Sequence, residues 1–234
     1  MQTVLITGAN RGIGLELVKQ YAEAGWQVLA CCRQPDIANA LRQLAEVASN
    51  DIEIFSLNVT DINSMQALKK SIGDQPIDVL INNAGILGEI GKANLGKLYE
   101  TGDEALHLFQ VNALGPLFLS ELLVDNVAKS ALKTIANITS ILGSVTLNNT
   151  AEYCLYKASK AALNSITASL AATLKPRQIK LIALHPGWVQ TDMGGPSAPL
   201  PINESVKGII SQIKKLDLKR TGCYVQHSGE TLPW

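Results

Sequence analysis

Residues 3–14 limit the possible folds of this chain more than any other stretch. Thr3-Val-Leu-Ile-Thr7 is an unbroken, mostly apolar run, the pattern of a strand buried on both faces. It leads at once into Gly8-Ala-Asn-Arg-Gly12-Ile-Gly14, after which residues 15–24 read as a helix closed by Gly25. A strand that passes through glycines into a helix N-terminus presents bare backbone N–H groups, which a phosphate can bind. Gly8 would make the tight turn, while Gly12 and Gly14 would let a pyrophosphate and the helix approach closely. Glycines also serve plain strand-to-helix corners, so the rest of the chain decides the meaning of this turn.

Strand and helix then alternate. Short apolar runs at 27–32, 52–57, 77–81, 134–140 and 180–185 read as strands, with a short closing strand at 222–225. Helices are expected at 37–48, from a Thr60 or Asp61 cap to Ile72, at 103–129, at 156–174 and at 204–216. This alternation points to an α/β fold, a single-domain doubly wound (Rossmann) parallel sheet of about seven strands with helices on both faces. One such domain would occupy residues 1–234. Segment 187–203 comes after a strand's carboxyl end and holds Gly194, Gly195, Pro196, Pro199 and Pro201. A loop of that kind is expected to act as a substrate lid. Residues 87–102 show no period and take no role.

Composition narrows the partners. A hydrophobic fraction of 47% with 17% charged residues suits a packed core and argues against disorder. Net charge is zero with no basic tract, so no nucleic-acid or membrane partner is expected. The longest apolar run, 114–124, is interrupted by Gly, Pro, Ser and Glu and is too short to span a bilayer. The first strand begins too early to leave room for a signal peptide. Cys31, Cys32, Cys154 and Cys223 show neither metal spacing nor a CxxC pair, so reduced thiols and a cytoplasmic location are expected. His107, His185 and His227 also lack ligand spacing, and no metal is expected.

The chemistry centres on Tyr156-Lys157-Ala158-Ser159-Lys160. Leu155, Ala162, Leu163, Ile166, Leu170 and Leu174 recur at helical spacing, which puts Tyr156 and Lys160 one turn apart on one face. Free tyrosine titrates at about pH 10, and a neighbouring ammonium favours the phenolate. Lys160 is therefore expected to acidify Tyr156 into a proton donor or acceptor at physiological pH. A surface Tyr/Lys pair would show the same spacing, and the surrounding motifs decide between the two. Strand 27–32 ends Cys31-Cys32-Arg33 without an acid. In a dinucleotide-binding unit an acid there holds a ribose 2′-hydroxyl, whereas Arg accommodates a 2′-phosphate. Arg11 lies in the glycine turn, and two guanidiniums converging on one spot need an anion between them. NADP(H) is thus preferred, with NAD(H) possible. Asn82-Asn83-Ala84-Gly85 comes after the fourth strand, with small and amide residues that let the backbone pass close to a bound ring. Asn112 stands among Phe109, Val111 and Leu114 and needs a partner if buried. Pro116 frees a backbone carbonyl and can bend its helix.

In chain order, the Gly8–Gly14 turn, Asn82–Gly85, Ser140, Tyr156/Lys160, and Pro186-Gly187 with Thr191 resemble the short-chain dehydrogenase/reductase family over essentially the whole chain. His185-Pro-Gly-Trp-Val-Gln-Thr-Asp-Met-Gly-Gly195 and Gly229-Glu-Thr-Leu-Pro-Trp234 are similar to its small carbonyl-reductase-like members, the sniffer and C-factor kind. The resemblance implies an NADPH-dependent reductase of aldehydes or ketones. Ser140 would hold the substrate carbonyl and Tyr156 would protonate it. Lys160 would lower the Tyr156 pKa and bind ribose hydroxyls, and Asn112 would hold a water linking Lys160 to solvent. It further implies that Gly8, Asn10, Arg11, Gly12, Ile13, Gly14 and Arg33 hold one end of the cofactor. Val59 (with Asn58) would flank the adenine, Asn83, Ala84 and Gly85 would line the path, and Thr191 would reach the carboxamide. Pro186, Gly187 and Val189 also belong to the implied cofactor site. Leu87, Ile141, Leu142, Tyr153, Trp188 and Met193 would shape the substrate pocket.

Two positions depart from the family pattern. Asn58 stands where Asp is common, and Tyr153 lies near the usual spacing from Ser140. Only Tyr156 has Lys four residues on, so catalysis is assigned to it. The long insertion of monomeric family members is absent, which implies a homodimer or homotetramer through the 103–129 and 156–174 helices. Two other readings stay open, a nucleotide-binding signalling protein with little turnover and an NAD-linked alcohol dehydrogenase.

Overall fold

The computed structural model describes residues 1–48, 51–88 and 102–234. Its strands are β1 (Thr3–Thr7), β2 (Gln27–Cys32), β3 (Ile52–Ser56), β4 (Val79–Asn82), β5 (Thr134–Ile138), β6 (Lys180–His185) and β7 (Cys223–Gln226). They form one sheet in the order β3-β2-β1-β4-β5-β6-β7, with every neighbouring pair parallel. Leu5 sits in register with Leu29 on one side and Leu80 on the other. Because successive side chains alternate, Val4 and Ile6 face one layer and Leu5 the opposite one. Helix α1 (Gly12–Glu23) covers the first face with Leu17, Val18 and Tyr21. Helix α3 (Ile62–Ile72) covers the second with Met65, Leu68 and Ile72. Burial on both faces explains why the strands read as continuous apolar runs rather than alternating ones.

From β1 the chain builds β2 and β3 to one side, then crosses back to begin β4 on the other. The winding reverses there, and a crevice opens above the carboxyl ends of β1 and β4, where sheets of this kind bind ligands. The expected doubly wound fold is the one observed.

Several boundaries move for identifiable reasons. Helix α1 begins at Gly12, so the last two turn glycines belong to its first turn. The expected 37–48 helix is divided: Pro35–Ile37 forms a 3-10 turn, and α2 runs over Asn39–Val47. Asp61, not Thr60, caps α3, its carboxylate accepting the Asn63 N–H at 2.9 Å.

The larger correction concerns 103–129. This stretch is broken into α4 (Gly102–Phe109), a π-helical turn at Gln110–Leu114, α5 (Gly115–Leu122) and α6 (Val124–Ala128). Pro116 has no N–H to give the Asn112 carbonyl, so the regular ladder cannot continue. The bonding slips by one residue, and the Gly115 N–H reaches the Gln110 carbonyl. Gly115 also lets the helix touch the cleft wall, since a Cβ there would stand 2.7 Å from the Val59 carbonyl oxygen.

Helix α7 (Cys154–Leu174) carries Tyr156 and Lys160, and α8 (Ile202–Lys215) packs against α1. Between β6 and α8 the chain is folded rather than irregular. Val189 bridges Leu200, the Gln190 N–H donates to the Leu200 carbonyl at 3.0 Å, and the Trp188 indole donates to Gly194 O at 2.7 Å. Most of the 87–102 stretch, residues 89–101, lies outside the described residues. No helix among the described residues is long and apolar enough to cross a membrane.

Candidate active site

One cleft runs along the carboxyl ends of the central strands. At its first end lie Gly8, Asn10, Arg11, Gly12, Ile13 and Gly14. No side chain caps α1, so its first N–H groups are available to an outside anion. The turn is tight: a Cβ on Gly14 would stand 2.1 Å from the Gly8 carbonyl oxygen. That cradle admits only glycine at position 14, and it fits a diphosphate laid against the helix end. Asn83 fastens the turn from β4, its amide donating to Thr7 O at 2.9 Å and Gly8 O at 3.2 Å. The Asn83 and Ala84 N–H groups both donate to the Thr7 hydroxyl at 3.0 Å.

Arg33, Asn58 and Val59 line the same end. The Asn58 side-chain oxygen accepts from both the Thr60 N–H (3.2 Å) and the Thr60 hydroxyl (2.9 Å), which holds the strand end in a turn. Arg11 does not simply converge with Arg33. Its guanidinium pairs with Asp192 at 2.5 Å, a contact between the glycine turn and the segment after β6, with both side chains largely exposed.

The other end of the cleft is buried. Tyr156 is only 8% exposed and Lys160 4%. Burial pushes the Tyr156 phenol up to about 12, while the neighbouring Ser140 hydroxyl pulls the other way. Lys160 is itself pushed down to about 8 by burial. Its ammonium donates to the Ile138 carbonyl at 3.0 Å and lies 5.8 Å from the centroid of the Tyr156 ring. The expectation that Lys160 acidifies Tyr156 is therefore corrected for the protein alone. Removing both groups from water disfavours both charged forms. Tyr156 stands as a protonated donor at neutral pH.

Asn112 is fully buried. Its oxygen accepts the Ile86 N–H at 2.9 Å, and its amide donates to Ile86 O at 2.8 Å and to Ser159 Oγ at 3.1 Å. Ser159 in turn donates to Tyr156 O at 2.8 Å. The Asn112 amide hydrogens are thus spent on protein atoms, clipping the segment after β4 to α7. Ser140 opens a 3-10 turn at Ile141–Gly143, its Oγ accepting the Leu142 N–H at 3.2 Å.

Gly85, Pro186, Thr191 and Met193 also line the cleft. Thr191 hangs over the glycine turn, its methyl 3.5 Å from where a Gly12 Cβ would be. Gly187 and Val189 stand behind the wall, Gly187 against Leu200 and His227, and Val189 buried and paired with Leu200. Of the expected substrate pocket only Met193 lines this cleft. Leu87, Ile141, Leu142, Tyr153 and Trp188 do not, and Trp188 is 57% exposed with its indole turned to Gly194. Sequence reasoning missed Cys32, Gln34, Ile86, His107, Thr139 and Asp192 on the wall. Arg11 was a signal for Asp192, since a lone exposed guanidinium draws a carboxylate, but the two are 181 residues apart.

The family described as short chain dehydrogenase matches residues 2–199. C-signal of Myxococcus xanthus is 37% identical over 173 residues, 73% of this chain and 100% of C-signal. The solved structure of carbonyl reductase Sniffer of D. melanogaster superposes at a TM-score of 0.88 with 34% identity, covering 100% of both chains. An NADPH-bound carbonyl reductase from chicken fatty liver superposes at 0.86 with 32% identity, covering 100% of this chain and 99% of that one. Sheet order, cleft and sequence agree, and the chain belongs to the short-chain dehydrogenase/reductase family of oxidoreductases.

Proposed function

We propose that the protein reduces an aldehyde or ketone to an alcohol with NADPH, using Tyr156 as the general acid. The observation that carries this reading is the Tyr156 phenol buried at the closed end of the cleft, beside Ser140 and Lys160. NADPH, when bound, would supply a hydride to the carbonyl carbon. Tyr156 gives its proton to the carbonyl oxygen, and the Ser140 hydroxyl donates a hydrogen bond to that same oxygen. Lys160, charged at neutral pH, stabilises the negative charge left on the phenolate and reaches toward the ribose hydroxyls. Asn112 keeps Ile86 and the first turn of α7 in place, so the phenol cannot swing away from the substrate. A positioned acid of this kind contributes about 10²–10⁴-fold.

The glycine cradle and the uncapped start of α1 suit the diphosphate, and Arg33 with Arg11 suits a 2′-phosphate. Gln34, Ile37 and Ala38 line that end of the cleft and add no acid there that would favour NAD. The NADPH-bound chicken reductase supports the same choice. Residues 1–234 then act as one dinucleotide-binding domain, with 187–203 as a lid that Asp192 ties to the glycine turn. Leu106, Leu114 and Phe118, exposed on the α4–α5 segment, support a homo-oligomer through that face. All four cysteines are free thiols, in keeping with work in the cytoplasm.

The test is NADPH oxidation across a panel of aldehydes and ketones, with Tyr156→Phe beside the parent. The Phe variant should lose on the order of 10³-fold in kcat while binding NADPH with unchanged Kd. A Phe variant that keeps most of the turnover sinks the mechanism. The likeness to C-signal favours one other reading, a nucleotide-binding protein without useful turnover, and tight NADPH binding with no reduction across the whole panel would select it.

A further inference from the structure

We propose that Tyr224 is a positioning residue for Ser140: its hydroxyl fixes the Ser140 main-chain carbonyl and so aims the Ser140 side chain at Tyr156 and the substrate oxygen. The inference rests on reading Ser140 as the group that holds the substrate carbonyl.

Tyr224 lies on β7, yet its phenol serves the end of β5. In register it sits beside Ala183 of β6, which in turn sits beside Asn137 of β5. Ala183 is small and buried, and Tyr224, Leu232 and Ile141 pack with it. The phenol donates to Ser140 O at 2.6 Å, and the ring is only 1% exposed. The same carbonyl accepts the Gly143 N–H at 2.8 Å, so donors hold it from two directions. With the main chain fixed and Ser140 Oγ accepting the Leu142 N–H, the hydroxyl hydrogen is left free to donate, and the Tyr156 phenol is its neighbour. Burial keeps the Tyr224 phenol protonated, pushing it up to about 12, and it can donate throughout the working range.

A second contact backs the first. The Trp234 ring stacks on Tyr224 at 5.2 Å between centroids, and Trp234 O accepts the Thr146 N–H (2.9 Å) and hydroxyl (2.6 Å). Segment 224–234 therefore grips the 140–146 loop at both ends, and Ser140 is the member of that loop that faces Tyr156. None of these groups touches the glycine end of the cleft, so their effect should fall on turnover and not on nucleotide affinity.

The test is a cycle of four proteins: parent, Tyr224→Phe, Ser140→Ala and the double variant. The Phe ring keeps the stack on Trp234, and Ala at position 140 keeps the main-chain carbonyl that Tyr224 holds. Tyr224→Phe should lower kcat roughly tenfold, with carbonyl KM and NADPH Kd within about twofold of the parent. In the Ser140→Ala background the same change should cost less than about twofold, because the residue it acts through is gone. A purely structural role would give the same fold-loss in both backgrounds, and that result overturns the inference while leaving the reductase reading intact. Unchanged kcat in Tyr224→Phe overturns it too. If Ser140→Ala itself retains the parent's turnover, the reading of Ser140 fails, and the positioning role fails with it. Should Tyr224→Phe not fold, Trp234→Leu loosens the phenol from behind; it should lower kcat about two- to threefold in the parent and not measurably in Ser140→Ala.

Discussion

The two ends of the cleft are built by opposite means. At the glycine end the ligand-facing groups are backbone N–H donors and exposed guanidiniums, and the Arg11–Asp192 pair there is 64% and 78% exposed. At the tyrosine end the polar groups are buried and spend most of their hydrogen bonds on main-chain atoms. An exposed end can be tuned by salt and by single surface charges. A buried end is governed by desolvation, which sets protonation states more strongly than any one neighbour. Recognition and proton transfer should therefore respond to different substitutions, and four variants put that division at risk.

The largest effect is expected at Gly14. Gly14→Ala drives a methyl into the Gly8 backbone, and overpacking of this kind costs about 1–3 kcal/mol. NADPH Kd should weaken on the order of 100-fold by fluorescence titration, since the moved atoms are the cradle itself. Retained affinity would show that the turn does not hold the diphosphate.

Lys160→Met tests the buried end. The amine titrates at about 8 in the fold, against an ordinary value of 10.5. Below pH 8 both folded and unfolded chains carry the proton, and the fold bears the full cost of a buried charge. Between about 8 and 10.5 the unfolded chain binds the extra proton, so this cost is relieved as pH rises. The Met variant should therefore be more stable than the parent at pH 7, by on the order of 1 kcal/mol after allowing for the lost bond to Ile138 O. The gain should shrink toward pH 10 in urea titrations, while turnover is lost throughout. A variant less stable at every pH would mean that the ammonium is well solvated where it sits.

Arg33→Ser should weaken NADPH about tenfold and leave NADH nearly unchanged, a loss of roughly 1.4 kcal/mol for one phosphate contact. Equal loss for both nucleotides would remove Arg33 from the 2′-phosphate. Asp192→Asn should have the smallest effect. Freeing Arg11 should tighten NADPH about two- to threefold at low salt, with the gain vanishing at about 0.5 M salt as screening removes an exposed pair's contribution. No change at low salt would mean that Arg11 is not drawn from Asp192 to the nucleotide.

Much of this division was legible in the sequence, and unevenly so. The glycine end is encoded locally: a buried strand, glycines and a helix succeed one another within residues 3–23, and backbone needs few side chains to declare itself. Tyr156 and Lys160 were legible for the same reason, being one turn apart. Their protonation was not, because burial comes from elements distant in the chain. The use of Asn112 was hidden as well, since its partners Ile86 and Ser159 lie 26 and 47 residues away. The hydrogen bond from Tyr224 to Ser140 spans 84 residues and leaves no local pattern at all. The split of the 103–129 helix was half visible, for Pro116 announced a break but hydrophobic spacing cannot tell a wide turn from a regular one.

That wide turn also limits how this segment can vary. Each residue of a regular helix advances the spiral by about 100°, so one surplus residue at Gln110–Leu114 rotates everything downstream by that angle. The stretch before it and the stretch after it are consequently out of phase with an uninterrupted helix, and Leu108 and Leu119 are both buried from positions that the wide turn has shifted around the axis. Deleting a single residue there would restore a uniform spiral and swing Phe118 and Leu119 around the axis together, whereas exchanging side chains of similar size would leave the phase intact.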